Sequence, residues 1–390
     1  MSSDLPKVIL LLENSRASGR GLLRGIARYA HINGPWRFVQ SPPFYVAADV
    51  WKRNLKRLKG SGARGIIARD SVADLEEILS CGLPTVVAAA VHRHFGDVPT
   101  IVGNNEAIGR MGAELFLNRG FRNFAFCGIG NIFWSHDRCE AFCRRVAEAG
   151  FRTDTWCGEI GRSRFEPGDK SSALVEWLKD LPKPLALMAC NDECGQQVVE
   201  ACVMAGLKVP EEIAVLGVDN DELMCVLSEP SLSSIELNAE RAGYEAAEIL
   251  DRLMQGEPTP SRRIVVQPKR IVLRRSSDVV AIEDVIVAEA IRYINRNRRR
   301  HLQVSEVADA VMVSQRTLQK RFRKALGRSV RDEIRRARTE LASKMLTETN
   351  LSIKQVARKL GCNSSKHISR YFKKEKGISV SEYRRRFGRL

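Results

Sequence analysis

Ile213-Ala214-Val215-Leu216-Gly217-Val218-Asp219-Asn220 is an unbroken apolar run, rich in β-branched and small side chains, that stops abruptly at two polar residues. A strand with one wet face alternates apolar with polar, so an unbroken run fits a strand covered on both faces, as in a parallel sheet. Runs of the same kind recur at 8–12, 65–68, 85–91, 124–127 and 185–189. Between them lie helical patterns: Leu22, Leu23, Ile26, Ala27 and Ala30 share one face, Ile108, Met111, Gly112, Leu115 and Phe116 another, and Val198, Val199 and Cys202 a third. Strand, helix, strand repetition predicts an α/β fold of doubly wound parallel sheets with right-handed crossovers. About 270 residues of it exceed one small domain, which predicts two lobes.

In an open α/β sheet, ligands bind beyond the carboxyl ends of the strands. The residues there are candidates for a binding site: Asn14 and Arg20 after the first run, Trp134 and Arg138 after 124–127, Asn191 and Asp192 after 185–189, and Asp219 and Asn220 after 213–218. Asn, Asp and Arg hydrogen-bond sugar hydroxyls, and Trp stacks on an apolar sugar face. Asn and Asp also cap helices after strands; four such loops together favour a site.

Other chemistries lack their residues. Gly128-Ile129-Gly130 follows a strand, but position 133 is Phe where a dinucleotide loop needs its third glycine. No phosphate-cradling loop or paired acid and base in context points to an enzyme. Cys139/Cys143 and Cys190/Cys194 are i,i+4 pairs whose spacing permits metal ligation in principle. No second Cys/His pair at zinc-site spacing follows either, so the expectation is reduced, inert thiols, no metal and no cofactor. Residues 1–13 hold too short an apolar run for a signal peptide, and no window reaches the roughly 18 apolar residues of a membrane span, so a cytoplasmic protein is expected.

Several segments resemble the ligand-binding core of LacI/GalR-type regulators and periplasmic sugar-binding proteins. They are residues 103–109 (GNNEAIG), 120–126 (GFRNFAF), 138–142 (RCEAF), 190–193 (CNDE), 215–222 (LGVDN within VLGVDNDE), Ser233-Ser234-Ile235, 243–247 (GYEAA) and 274–277 (RRSS). The resemblance covers residues 7–277 and implies a two-lobed periplasmic-binding-protein-like sensor in which Arg138, Asn191 or Asp192, and Asp219 hold sugar hydroxyls. The helix-turn-helix that opens LacI-type proteins has no counterpart before Val8.

The charge lies at the other end. Residues 276–390 carry 28 Lys+Arg against 12 Asp+Glu, whereas residues 1–275 carry 35 against 34. A cationic excess confined to one module is the footprint of phosphate neutralisation. Residues 276–284, polar then acidic, read as a linker between a sensor at 1–275 and a helical domain at 285–390. That domain repeats itself. Val307-Ala308, Ser314, Leu318, Phe322, Gly327, Ser329 and Val330 recur as Val356-Ala357, Ser364, Ile368, Phe372, Gly377, Ser379 and Val380, at an offset of 50 residues from the serines onward and 49 before them. Each copy reads as helix, turn, N-capping serine and second helix. The i,i+4 apolar pairs Leu318/Phe322 and Ile368/Phe372 must face the core. The opposite faces then carry Gln315, Arg316, Gln319, Lys320 and Arg323 in one copy and Ser365, Lys366, Ser369, Arg370 and Lys373 in the other. Amide and guanidinium groups there suit base edges in a major groove, and the flanking cations suit phosphates.

Residues 284–388 strongly resemble the AraC/XylS DNA-binding domain, notably at Arg335-Arg336-Ala337-Arg338, Ser352-Ile353-Lys354-Gln355-Val356-Ala357 and Arg370-Tyr371-Phe372-Lys373-Lys374. Val330 and Val380 stand where that family usually has Pro, Cys362 where it prefers Phe, and His367 where it often has an aromatic residue or Thr. By resemblance, Arg316, Gln319, Lys320, Lys366, His367 and Arg370 fall at or near base-reading positions, and one domain spans two successive major-groove segments. The two resemblances together imply a transcription regulator, an activator by family habit, whose binding to a duplex operator is controlled by a sugar, D-xylose or a related pentose foremost. They also imply a homodimer, contact with RNA polymerase if it activates, and no membrane partner. The alternative is a DNA-binding regulator whose cleft takes a different small molecule or none.

Overall fold

A computed structural model of the chain describes residues 5–40, 60, 62–71, 75–90, 95–158, 170–257, 263–279, 281–282, 284–362 and 365–388. Contacts divide it into two compact units, residues 1–114 with 123–278, and residues 115–122 with 279–390. In chain order the elements begin β1 (Lys7–Leu11), α1 (Ala17–Asn33), β2 (Arg37–Gln40), β3 (Ala63–Arg69), α2 (Leu75–Ser80), β4 (Thr85–Ala88), β5 (Thr100–Gly103) and α3 (Asn105–Asn118). They continue β6 (Asn123–Ile129), α4 (Phe133–Glu148), β7 (Thr153–Gly158), α5 (Lys170–Asp180), β8 (Leu185–Ala189), α6 (Asp192–Ala205), β9 (Ile213–Asp219) and α7 (Glu222–Leu227). The first unit closes with β10 (Ser233–Leu237), α8 (Ala239–Met254), β11 (Arg263–Val266) and β12 (Pro268–Val272).

Two six-stranded sheets result, ordered β11-β5-β4-β3-β1-β2 and β12-β10-β9-β8-β6-β7, parallel except where β12 pairs antiparallel with β10. The unbroken apolar runs are explained by cover on both faces. Along β1, Val8 and Leu10 pack into a core against α1 and α8, while Ile9 and Leu11 pack into a second core with Ile66 and Ile78. The six predicted runs appear as β1, β3, β4, β6, β8 and β9, with β4 ending at Ala88 and Val91 outside the described residues. Of the strands that pattern reading missed, β5 is a buried run of only four residues, Thr100–Gly103. β2, β7 and β11 are short or half-wet edges, and β10 opens on two serines.

The sheet orders require three passages of chain between the lobes, at residues 103–105, 237–239 and 266–268. These passages are tied together: the Asn104 amide N–H donates to Val266 O at 2.9 Å, Asn104 Nδ2 to Gln267 Oε1 at 2.8 Å, and Asn238 N–H to Gln267 O at 2.8 Å. Three short, cross-linked passages therefore join the lobes. In the first lobe α1 and α8 meet backbone to backbone. A Cβ on Gly25 would lie 1.9 Å from Glu240 O, and one on Gly243 would lie 2.1 Å from Leu22 O.

The first unit includes residues expected in the linker. Ser276 and Ser277 are fully buried, and Ser276 Oγ donates to Val215 O at 2.7 Å while accepting from Ser233 N–H at 2.8 Å. The first unit ends at Asp278, so residues 276–278 of the expected linker pack with it, and the Ser276 hydroxyl bonds the backbone of β9 and β10.

The second unit contains α9 (Val285–Asn297), α10 (Val304–Ala310), α11 (Gln315–Leu326), α12 (Val330–Glu348), α13 (Ile353–Lys359), α14 (Ser365–Lys376) and α15 (Val380–Phe387). The predicted repeat becomes two small cores. Val307, Leu318, Phe322 and Val330 belong to one, and Val356, Ile368, Phe372 and Val380 to the other. Helix α12 serves both, giving Ile334 and Ala337 to the first and Leu341 and Leu346 to the second. Ser314 caps α11 by accepting from Thr317 N–H, and Ser329 and Ser379 cap α12 and α15 in the same way. Val330 and Val380 thus begin well-capped helices without proline. The expected cap Ser364 lies outside the described residues. Gly327 and Gly377 end α11 and α14 at φ 67° and 74°, a left-handed conformation that glycine adopts without strain.

Candidate functional site

A cavity of about 270 Å³ opens between the lobes at the carboxyl ends of β1, β3, β4, β8 and β9. That is near the lower end of ligand sites, roughly 300–1,000 Å³. Helix α4 lines it with Phe133, Trp134 and Arg138. Arg138 is buried, donating from Nη1 to Cys190 O at 2.6 Å and from Nε to Asn105 Oδ1 at 3.1 Å, and its guanidinium carbon lies 4.8 Å from the Trp134 ring centroid. The guanidinium is thereby aimed and the indole held beside it. Asp219 ends β9 at φ 103° and is followed by Asn220 at φ 50°, left-handed conformations uncommon outside glycine. Burial raises the Asp219 carboxyl above the usual aspartate range, while Arg138 and Arg69 pull it back.

Asp192 sits beneath, its Oδ2 accepting from Asp221 N–H at 2.7 Å and its Oδ1 from the Ser234 hydroxyl at 2.5 Å. Burial, then the neighbouring Asp219 charge, pushes its carboxyl up to about 8. Asn191 lines the cavity and also caps α6 by accepting from Cys194 N–H at 2.9 Å. The mouth is crossed by ion pairs: Arg16 with Glu193, and Arg20 Nη2 with Asp221 Oδ2 at 2.8 Å. Asp221 also accepts from Ala17 N–H at 2.8 Å.

Of the eight expected ligand residues, Trp134, Arg138, Asn191, Asp192 and Asp219 line the cavity, and Asn14, Arg20 and Asn220 do not. Asn14 is exposed because the turn after β1 points Glu13 and Arg16 inward instead. Arg20 is spent on Asp221 and on the Ser15 carbonyl at 2.6 Å. Asn220 Oδ1 is held by Arg274 Nη2 at 2.8 Å. Sequence reading missed Glu13, Arg16, Arg69, Asn105, Glu193 and Asp221. The strand-end rule reaches Arg69, the last residue of β3, and Asn105, just past β5, once those strands are placed with correct ends.

The second unit presents its candidate face as expected. Gln315, Arg316, Lys320 and Arg323 on α11 and Arg370 and Lys373 on α14 are exposed, and Gln319 and Ser369 are half-exposed. The side chains of Ser365, Lys366 and His367 lie outside the described residues. Some arginines on other faces are ion-paired: Arg321 with Asp284 at 3.0 Å, Arg328 with Glu333 at 2.6 Å, and Arg336 with Glu333 and Glu340. Among the described residues, Arg316, Lys320, Arg323, Arg370 and Lys373 have no such carboxylate. A face of exposed cations of this kind is suited to phosphates.

Residues 113–277 match the model of a periplasmic binding protein-like domain, and residues 307–386 that of a helix-turn-helix domain. The chain joins a periplasmic-binding-protein-like sensor to a helix-turn-helix domain. The order of sensor and helix-turn-helix domain is shared over full length with other proteins. The chain is 28% identical to the xylose operon regulatory protein of Escherichia coli strain K12, covering 97% of this chain and 96% of that one. It is 26% identical to the protein of the same name from Haemophilus influenzae, covering 98% and 99%. A solved structure described as the xylose-binding transcription activator xylR matches all of both chains at 27% identity with a TM-score of 0.61. Among the described residues, no helix of the sensor or of the helix-turn-helix domain is long and apolar enough to cross a membrane.

Proposed function

We propose that the chain is a transcription regulator whose binding to duplex DNA through α11 and α14 is controlled by a sugar held between the sensor lobes, D-xylose or a related pentose foremost. The observation that carries the reading is the cavity in which Arg138, Asp219 and Trp134 converge at the strand ends, in a chain whose other unit carries two repeated helices with exposed cations. Arginines and carboxylates in and around the cavity pair with one another, as Arg16 does with Glu193, which suits a neutral polyol better than a phosphate. The small volume favours a monosaccharide, and the naming of full-length relatives for the xylose operon favours a pentose.

In this reading Asp219 accepts from sugar hydroxyls, Arg138 and Asn191 donate to them, and Trp134 covers the apolar ring face. Sugar binds the closed lobes more tightly than the open ones, and that difference, typically ~1–3 kcal/mol, is what couples the cavity to DNA affinity. Two protomers reading adjacent sites gain affinity by linkage alone, so we infer a homodimer. Activation through contact with RNA polymerase, a cytoplasmic location and the lack of catalysis follow from the same reading. Calorimetric titration of the protein with a panel of pentoses and hexoses tests it. Saturable heat is expected with a pentose and is lost in Arg138→Ala; no heat with any sugar would overturn the effector assignment.

A further inference from the structure

Each repeat of the helix-turn-helix domain has its own core, and α12 runs from one into the other. Two recognition helices enter one duplex together only when their separation matches its helical repeat, about 34–36 Å a turn. Whatever holds the repeats against each other therefore decides which operators fit. Apolar packing does not close the seam between them: a cavity of about 260 Å³ remains there, lined by Arg298 and Arg299 from the end of the first α9 turn region and by Lys344 and Lys359 from α12 and α13. Like charges on both sides of a seam push it open.

Arg338 bridges that seam. It leaves α12 between Ala337 and Leu341, where the helix passes from the first core to the second, and it is buried, only 5% exposed. One arm of its guanidinium, Nη1, donates to Arg300 O in the loop between α9 and α10, ahead of the first helix-turn-helix. The other, Nη2, donates to Leu360 O at 2.6 Å and to Cys362 Sγ at 3.2 Å, in the turn between α13 and α14 of the second. Leu360 O ends α13, so it has no partner within the helix and is open to this one. The bridged backbones also touch: a Cβ on Gly361, at φ 64°, would lie 3.5 Å from Arg299 O and 3.6 Å from His301 N. The Cys362 thiol in turn stands 3.8 Å from the Tyr371 hydroxyl on α14. Charge-assisted bonds from one rigid fork to two backbones set the distance between them, which the single ammonium of a lysine does not do.

We propose that Arg338 is a positioning residue that fixes the spacing of α11 and α14, and with it the number of base pairs an operator must place between its two major-groove segments. Being buried, it reads no base and neutralises no phosphate; it acts through the two turns it ties. The inference rests on the reading that α11 and α14 bind duplex DNA and is independent of which effector the sensor takes.

Duplexes carrying the sequence that the unaltered full chain selects from a random pool, with one base pair inserted or removed between the two segments, test it by fluorescence anisotropy. One inserted base pair turns one segment about 35° past the other. The unaltered protein should lose at least about tenfold in affinity for either altered spacing, and Arg338→Lys and Arg338→Met less than about threefold. Both variants should bind random duplex within about twofold of the unaltered protein, because the cations of α11 and α14 remain. Both should keep a cooperative melting curve, because each repeat keeps its own core. No preferred sequence in the unaltered protein overturns the DNA-binding reading and this inference with it. An unaltered protein indifferent to spacing, a spacing penalty kept in full by both variants, equal losses on preferred and random duplexes, or loss of the cooperative melt in both variants overturns this inference alone.

Discussion

Asp219 and Asp192 are both acids at the cavity, and the structure gives them different work. Asp219 is strained into the cavity and faces Arg138 and Arg69, whereas Asp192 spends both oxygens on Asp221 N–H and the Ser234 hydroxyl. Asp219→Ala should therefore abolish the effect of sugar on DNA binding while leaving sugar-free DNA affinity within about twofold, measured by fluorescence anisotropy; parallel loss of both would place Asp219 in the fold instead. Asp192 leaves a pH signature. Its carboxyl is raised from 3.8 to about 8, so the folded chain keeps a proton that the unfolded chain sheds. Its contribution to stability thus falls as pH rises between about 4 and 8 and levels off above. Relative to Asp192→Asn, the unaltered protein should lose melting temperature steadily from pH 5 to pH 8. A constant difference across that range would contradict the assignment of the buried proton.

Two elements carry tolerances that can be measured. Helices α1 and α8 touch through Gly25 and Gly243, where a methyl would lie about 2 Å from a backbone oxygen. Gly243→Ala should cost the sensor ~1–3 kcal/mol, read as a lowered thermal midpoint; an unchanged midpoint would mean the helices are not in backbone contact. In the helix-turn-helix domain Glu333 is fully buried between Arg328 and Arg336. Glu333→Ala leaves the Arg328 guanidinium without its acid and Arg336 with Glu340 alone, and should destabilise α12 and both small cores by ~3–5 kcal/mol in urea unfolding. Legibility in the sequence followed burial at this scale. Strands covered on both faces, such as β1, β8 and β9, announced themselves as unbroken apolar runs, and edge strands such as β7 did not. The repeated Leu318/Phe322 and Ile368/Phe372 pairs exposed the second unit before any coordinates, because local helical spacing alone dictates which face is buried. Arg20 and Asn220 stand outside the cavity lining because the direction of a loop side chain depends on tertiary partners, here Asp221 and Arg274, 201 and 54 residues away in sequence.

At the scale of the whole molecule, a nearly neutral sensor and a strongly cationic helix-turn-helix domain divide two tasks between them. The division predicts separable defects. Arg370→Ala should weaken binding to a preferred sequence by ~1–3 kcal/mol and change binding to random duplex little, whereas Lys373→Ala should weaken both and reduce the salt slope by about one. The central claim is that the front cavity governs the back helices, and the most direct measurement starts from a random duplex pool from which the protein selects its own preferred sequence. Affinity for that sequence and for random DNA is then measured at physiological salt, with and without D-xylose. The account predicts a preference of at least about 10³-fold and a further change of roughly 5- to 150-fold on adding the pentose. Equal affinity for selected and random duplexes, or a preference that no sugar moves, would contradict it.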